Sequence, residues 1–262
     1  MNIKYILLNT IFIPKIIQSF QKKSIFYIKK NDKLFSKNKI NNFTTSKDKY
    51  QPKTYNQKEY KDSLNNKKID LLICNGPAGT GKTLMACQFA IESLINNNIN
   101  KIIITRPTIS IDENIGFLPG NIQSKMQPWM IPIYDIFEEY YSKKDLNQLI
   151  NENIIEICPL TFIQGRTFKN SIVIADEMQN STPNQMFMLL TRLGIKSKMI
   201  ITGDLEQTYN KNNGLNDIID KLMDNYYSKK EMNNDSIDLI NLDKSDIQRS
   251  NIVRVINDLY KD

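Results

Sequence analysis

The sequence predicts an α/β fold: an open sheet of buried strands flanked by helices, preceded by a disordered N-terminal extension. Three observations predict it. Four short apolar runs, Ile69–Cys74, Lys101–Thr105, Ser171–Ala175 and Met199–Ile201, each lead into polar or ligand-binding residues. The first leads directly into a glycine-rich loop and then a helical pattern. The length of 262 residues suits one substantial core with a small appendage.

Residues 1–49 form the expected extension. They are rich in Lys, Asn, Ser and Thr, poor in acids and lack Gly. Tyr5–Ile13 is an apolar run of signal-peptide length, preceded by Lys4 and too short to span a bilayer. The basic tract from Gln21 to Lys49 follows it. This order reads either as a bipartite leader to a plastid-type organelle or mitochondrion, or as a disordered Asn/Lys extension on a cytoplasmic protein. No membrane span is expected.

Near Tyr50 the character changes, and a short helical pattern runs to about Asn65. Gln57 lies 19 residues before Gly76. A glutamine amide holds a donor and an acceptor in one plane, which match adenine N6 and N7, so Gln57 is a candidate adenine reader. The alternative is a surface glutamine at a helix start.

The run Ile69–Cys74 reads as a buried strand, and Gly76-Pro77-Ala78-Gly79-Thr80-Gly81-Lys82-Thr83 follows. This is the phosphate loop G-x-x-x-x-G-K-[ST]. Its glycines let backbone N–H groups close around phosphate oxygens, and the helix N-terminus adds partial positive charge. Lys82 would reach the β- and γ-phosphates, and Thr83 would hold Mg²⁺. Leu84, Met85, Phe89, Ile91 and Leu94 give the next segment a helical period.

Lys101–Thr105 is a second strand, halted by Pro107. Ligands of open α/β sheets sit beyond the carboxyl ends of strands, so Arg106 faces phosphate or nucleic acid, or else pairs with a structural carboxylate. Ser171–Ala175 ends in Asp176-Glu177, the Walker B pattern. Adjacent acids at a strand end are costly unless a cation balances them. Asp176 would hold Mg²⁺ through water, and Glu177 would polarise the attacking water. Thr182 reads as an N-cap and Pro183 as the first residue of a helix running to about Arg192 and ending at Gly194. The strand Met199–Ile201 leads through Thr202-Gly203-Asp204 to Gln207, whose neutral amide suits contact with the γ-phosphate or its attacking water.

Composition excludes several classes of chemistry. With no His, there is no His general base, Ser-His-Asp triad or His metal ligand. Cys74, Cys87 and Cys158 have no C-x-x-C spacing and read as reduced, buried thiols. The net charge of +7 misleads about nucleic acid, because residues 1–66 hold 14 Lys and 4 acids, leaving the other 196 residues at −3. Lys outnumbers Arg 30 to 5, which singles out Arg106, Arg166, Arg192, Arg249 and Arg254 as sites where a planar guanidinium matters.

The order and text of these segments resemble the PhoH-like ATPase family, related to superfamily 1 helicases. The resemblance covers residues 50–262 and rests on Gly76–Thr83, Thr105-Arg106-Pro107, Gly116-Phe117-Leu118-Pro119-Gly120, Pro128–Pro132, Gly165-Arg166-Thr167, Asp176–Asn180, Leu190-Thr191-Arg192, Thr202–Asp204 with Gln207, and Asp246–Ser250. The Gly-Phe-Leu-Pro-Gly segment is the most family-specific. The chain departs from the family at Ile163-Gln164, where Met-Arg is usual, and after Gln207, where the loop is shortened. The resemblance implies a single RecA-like P-loop NTPase domain with a mostly parallel sheet, ATP and Mg²⁺ as ligands, and Glu177 as catalytic base.

Superfamily 1 helicases place ATP between two RecA-like domains, the second supplying an arginine. Only 55 residues follow Gln207 here, too few for a second such domain or a nuclease domain. The expectation is a homo-oligomeric ring with Arg249 as first candidate for that arginine, in cis or trans, and Arg166 as second. Single-stranded RNA is the expected polymer partner. The alternative is a nucleotide-dependent switch with slow hydrolysis. A small-molecule kinase is disfavoured by Gln207 and the scarcity of Arg.

Overall fold

In a computed structural model of the chain, residues 50–107, 122–208, 212–227 and 235–248 are described. The expected N-terminal extension, the Gly116–Gly120 segment and Arg249 lie outside them.

Helix α1 (Tyr55–Asn65) opens with a capping box. The Thr54 hydroxyl accepts from the Gln57 N–H, and the Gln57 amide oxygen accepts from the Thr54 N–H. Strand β1 (Leu71–Asn75) is buried through Cys74, as a strand covered on both faces must be. Helix α2 (Lys82–Ile95) follows the phosphate loop and buries Met85, Ile91 and Leu94. Next come β2 (Lys101–Thr105), α3 (Ile122–Glu138), α4 (Lys143–Asn151), β3 (Ile155–Ile157) and β4 (Ser171–Ala175). The chain continues through α5 (Pro183–Leu190), β5 (Lys198–Gly203), α6 (Gly214–Tyr227) and β6 (Ile237–Asn241).

All the described strand pairings are parallel, in the order β3-β2-β4-β5-β1-β6. This is the expected RecA-like sheet. Register partners Thr105↔Ala175, Ala175↔Ile201 and Asn75↔Gly203 bring the carboxyl ends of β2, β4, β5 and β1 side by side. Every residue assigned to nucleotide chemistry on these strands therefore emerges along one edge.

Ile73, Ile103, Val173 and Ile201 meet Met186 and Leu189 of α5 and Leu215 of α6 in one core. By strand alternation Leu72, Ile104, Ile174 and Ile200 face the other way, and they are equally buried. Helix α2 packs against β2, β4 and β5. Each such side chain contributes about 1.5–3 kcal/mol by leaving water. This two-faced burial makes the sheet a rigid base for its loop edge.

Helix α5 stops at Leu190, two residues earlier than its sequence pattern suggests. Gly194 is needed for close packing and not for a left-handed cap: a Cβ there would strike the Phe168 carbonyl. No described helix is long and apolar enough to cross a membrane.

Candidate active site

The phosphate loop begins where β1 ends, and its shape depends on two glycines. A Cβ on Gly76 would lie 2.5 Å from the Leu242 carbonyl oxygen. Gly81 has φ +90, a conformation other residues rarely adopt, and it starts α2 with no side-chain cap. The first turn of α2 thus presents its N-terminal dipole to the loop. Lys82 is 9% exposed and donates to the carbonyl oxygens of Gly76 and, at 2.8 Å, of Pro77. Burial pulls its pKa down, while Cys74, Asp204, Glu177 and Asp176 oppose that pull. Pro77, Ala78, Gly79 and Thr80 complete the loop, and Thr80 anchors it by donating to the Pro77 carbonyl at 2.8 Å. A cavity of about 430 Å³ opens beside Gly76 and Pro77, bordered by Asp204, Glu206, Asp243 and Lys244.

Asp176, at the tip of β4, is 1% exposed and heavily bonded. Oδ1 accepts from Thr83 at 2.8 Å and from Thr202 at 2.5 Å. Oδ2 accepts from Arg106, whose Nε stands 2.9 Å away. The structure thus brings Thr83 and Asp176 together, although 93 residues separate them. Hydroxyl and carboxylate oxygens in contact at a helix N-terminus are the hard donors that Mg²⁺ takes, usually alongside phosphate oxygens and water. The donor set fits Mg²⁺.

Glu177, half-buried, has φ +57. This left-handed residue turns the chain off β4 into the short turn Met178–Asn180. Its carboxylate accepts from Gln179 Nε2 at 2.6 Å. Gln207 is exposed on the turn Leu205–Gln207 that leaves β5 beside the phosphate loop. The Gly76 N–H donates to the Gly203 carbonyl at 3.1 Å, tying that strand end to the loop.

Two sequence assignments require correction. Gln57 is fully buried, and its amide is spent inside the protein. Nε2 donates to the carbonyls of Thr80 and Asp246 at 3.0 and 3.1 Å. Oε1 accepts from the N–H groups of Lys53 and Thr54 at 2.8 and 3.3 Å. An amide has two donors and two acceptor sites, so none is left for adenine. Gln57 instead braces the phosphate loop. Arg166 is the second case: it forms a fork on Glu156 of β3, at 2.6 and 2.8 Å, and its guanidinium lies 5.0 Å from the Phe168 ring. β3 is the edge strand, with β2, β4 and β5 between it and β1, so this arginine does not reach its own chain's phosphate loop. Arg249 is outside the described residues; its neighbour Gln248 donates its N–H to the Gly79 carbonyl at 3.0 Å.

Arg106 takes the alternative its sequence position offered, a carboxylate partner, and that partner is Asp176. Two contacts escaped sequence reasoning: Thr202 closes on Asp176, and Gln179 bridges Glu177 to the Asp204 N–H at 3.1 Å. Thr202 lies near a strand end and Gln179 on the turn after one, but neither position names a partner. By contrast, Thr54-Tyr55-Asn56-Gln57 carries the capping-box signature, which accounts for the Gln57 amide oxygen but not for the bonds of its NH₂.

Residues 49–261 match the family model described as PhoH-like protein. A PhoH-like protein of Bacillus subtilis is 41% identical over 210 residues, covering 79% of this chain and 63% of that protein. One from Synechocystis sp. is 45% identical over 156 residues, covering 60% of this chain and 47% of that protein. The chain therefore spans about half to two thirds of the length of these relatives. Among solved structures, the Sulfolobus solfataricus SWI2/SNF2 ATPase core in complex with dsDNA overlaps 62% of this chain and 34% of its own at 14% identity and TM-score 0.38, too distant to bear on activity.

Proposed function

The chain belongs to the PhoH-like protein family, and from that premise we propose that it binds ATP with Mg²⁺ and hydrolyses it. One observation carries the proposal: Thr83 of the phosphate loop touches Asp176 at 2.8 Å, and Glu177, the next residue, is near enough for its charge to act on Lys82. The loop N–H groups and the α2 N-terminus cradle phosphate oxygens. Lys82 leaves the loop carbonyls for the β- and γ-phosphates, an exchange that suits an ammonium destabilised by burial. Thr83 and Asp176 would hold Mg²⁺, which would neutralise charge on the phosphate oxygens. Glu177 accepts the proton of the attacking water, and Gln207 orients that water or the γ-phosphate.

Arg249 supplies the remaining cation, from its own chain or from a neighbour in a homo-oligomeric ring. The work coupled to hydrolysis is helicase-like remodelling of single-stranded RNA. The resemblance of the motifs to superfamily 1 helicases supports this coupling.

The test is phosphate release from ATP by the full chain with Mg²⁺, with EDTA, and with single-stranded RNA. Release that needs Mg²⁺ and disappears in Lys82→Ala supports hydrolysis, and stimulation by RNA supports coupling. ATP binding without release under every condition would make the protein a nucleotide switch instead.

A further inference from the structure

We propose that Gln179 is the positioning residue for Glu177, and that it makes the aim of that carboxylate depend on the tip of β5. The proposal rests on the reading of Glu177 as catalytic base.

A glutamate on a turn has many rotamers, and fixing one costs up to about 2 kcal/mol of side-chain entropy. Here the fixing contact is the donation from Gln179 Nε2 to Glu177 Oε2 at 2.6 Å. A neutral donor on an ionised acceptor makes a strong, short bond. The direction of the Gln179 amide is dictated by its other end. Its Oε1 lies 3.1 Å from the backbone N of Asp204, a group that can only donate. The oxygen must therefore face Asp204, and the NH₂ must face Glu177.

The surroundings leave this amide little freedom. Gln179 is 2% exposed. A Cβ on Gly203 would come within 2.8 Å of its Oε1 and 2.5 Å of Leu215 Cδ2, so glycine is what lets β5 approach. The turn is pinned from below: Ser181 Oγ donates to the Met178 carbonyl at 2.6 Å, and the Gly214 N–H donates to the Ser181 carbonyl at 2.7 Å.

Asp204 begins the turn that carries Gln207. Two hydrogen bonds, Asp204 to Gln179 and Gln179 to Glu177, thus join the candidate γ-phosphate sensor to the candidate base. A displacement of the β5 tip changes where the Glu177 carboxylate points.

The test uses the full chain with Gln179→Leu and Gln179→Glu. Leucine removes both bonds. Glutamate keeps an acceptor for Asp204 but turns an oxygen toward Glu177. Single-turnover phosphate release, ATP affinity and melting temperature are read together. The expected result is release slowed about 10- to 100-fold, as for a catalytic group misplaced by an ångström, with ATP affinity within about 3-fold of wild type. In a Glu177→Gln background, Gln179→Leu should slow release no further. Should the buried substitutions prevent folding, Gln179→Asn keeps an amide one methylene too short to bridge both partners, with the same expectation. Unchanged release in the Gln179 variants, or an equal further loss in the Glu177→Gln background, would overturn the positioning role while leaving Glu177 as the base. A fully active Glu177→Gln protein would instead overturn the reading on which the proposal rests.

Discussion

Arg106, at the tip of β2, closes on Asp176, at the tip of β4, with Nε 2.9 Å from Oδ2 and Nη2 on the same oxygen. Thr83 and Thr202 occupy the other oxygen. Both oxygens of the carboxylate proposed to hold Mg²⁺ thus accept from protein donors. A guanidinium supplies the positive charge that so buried an acid requires.

Arg106→Met should therefore destabilise the nucleotide-free protein by about 3 kcal/mol, the scale for leaving one partner of a buried pair uncompensated. Mg²⁺ with ADP should recover part of that loss, because it supplies charge at the same carboxylate. Urea unfolding with and without Mg²⁺ and ADP measures both effects. A loss that ligand leaves untouched would mean that Asp176 does not meet the cation.

Glu177 has φ +57, a conformation that glycine adopts freely and that costs a glutamate strain. Comparing Glu177→Gly with Glu177→Ala isolates this cost, since both remove the carboxylate. The glycine variant should be the more stable by about 1 kcal/mol. The reverse order of urea midpoints would show that the left-handed turn carries no penalty.

The legible part of the site was that in which phosphate chemistry dictates residue types at fixed spacing. The loop Gly76–Thr83 could be placed at the end of β1 and Asp176-Glu177 at the end of β4 because each directly follows a buried apolar run, and the contact of Thr83 with Asp176 joins them. The strands β1, β2, β4 and β5 are dense apolar runs and were equally plain. β3 has only three residues and β6 is half-exposed, so neither leaves a strong pattern. The partner of Arg166 was not legible, because a guanidinium fork fits carboxylate as well as phosphate, and only the fold reveals that Glu156 lies opposite. Gln57 was half legible: the Thr54-x-x-Gln57 capping box accounts for its amide oxygen, but only the fold brings the Thr80 and Asp246 carbonyls to its NH₂.

Substituting Gln57 should accordingly disturb folding and not base choice. Gln57→Ala leaves the Thr80 and Asp246 carbonyls without their buried donor, a loss of about 1–3 kcal/mol. The ratio of ATP to GTP affinity should stay that of wild type. A ratio that shifts toward GTP in a stably folded variant would restore the adenine contact.

The Arg166 fork, helped by Lys101 and opposed by burial, holds the Glu156 carboxyl well below its usual range, at about 2. A depressed carboxyl pKa adds stability that is complete above the ordinary value near 4.5 and is lost as pH falls toward 2. Wild type should thus lose more stability than Arg166→Met between those limits, while the variant hydrolyses ATP at the wild-type rate. Parallel acid denaturation curves would remove the linkage. A collapse of hydrolysis would return Arg166 to the list of candidate arginine fingers.

The central claim is that Glu177 activates water beside the phosphate loop. The most direct measurement is ATP affinity and phosphate release for wild type and Glu177→Gln, with Mg²⁺ present. The account predicts that Glu177→Gln binds ATP as tightly as wild type and releases phosphate at least about 10²-fold more slowly. Turnover by Glu177→Gln at the wild-type rate would contradict it.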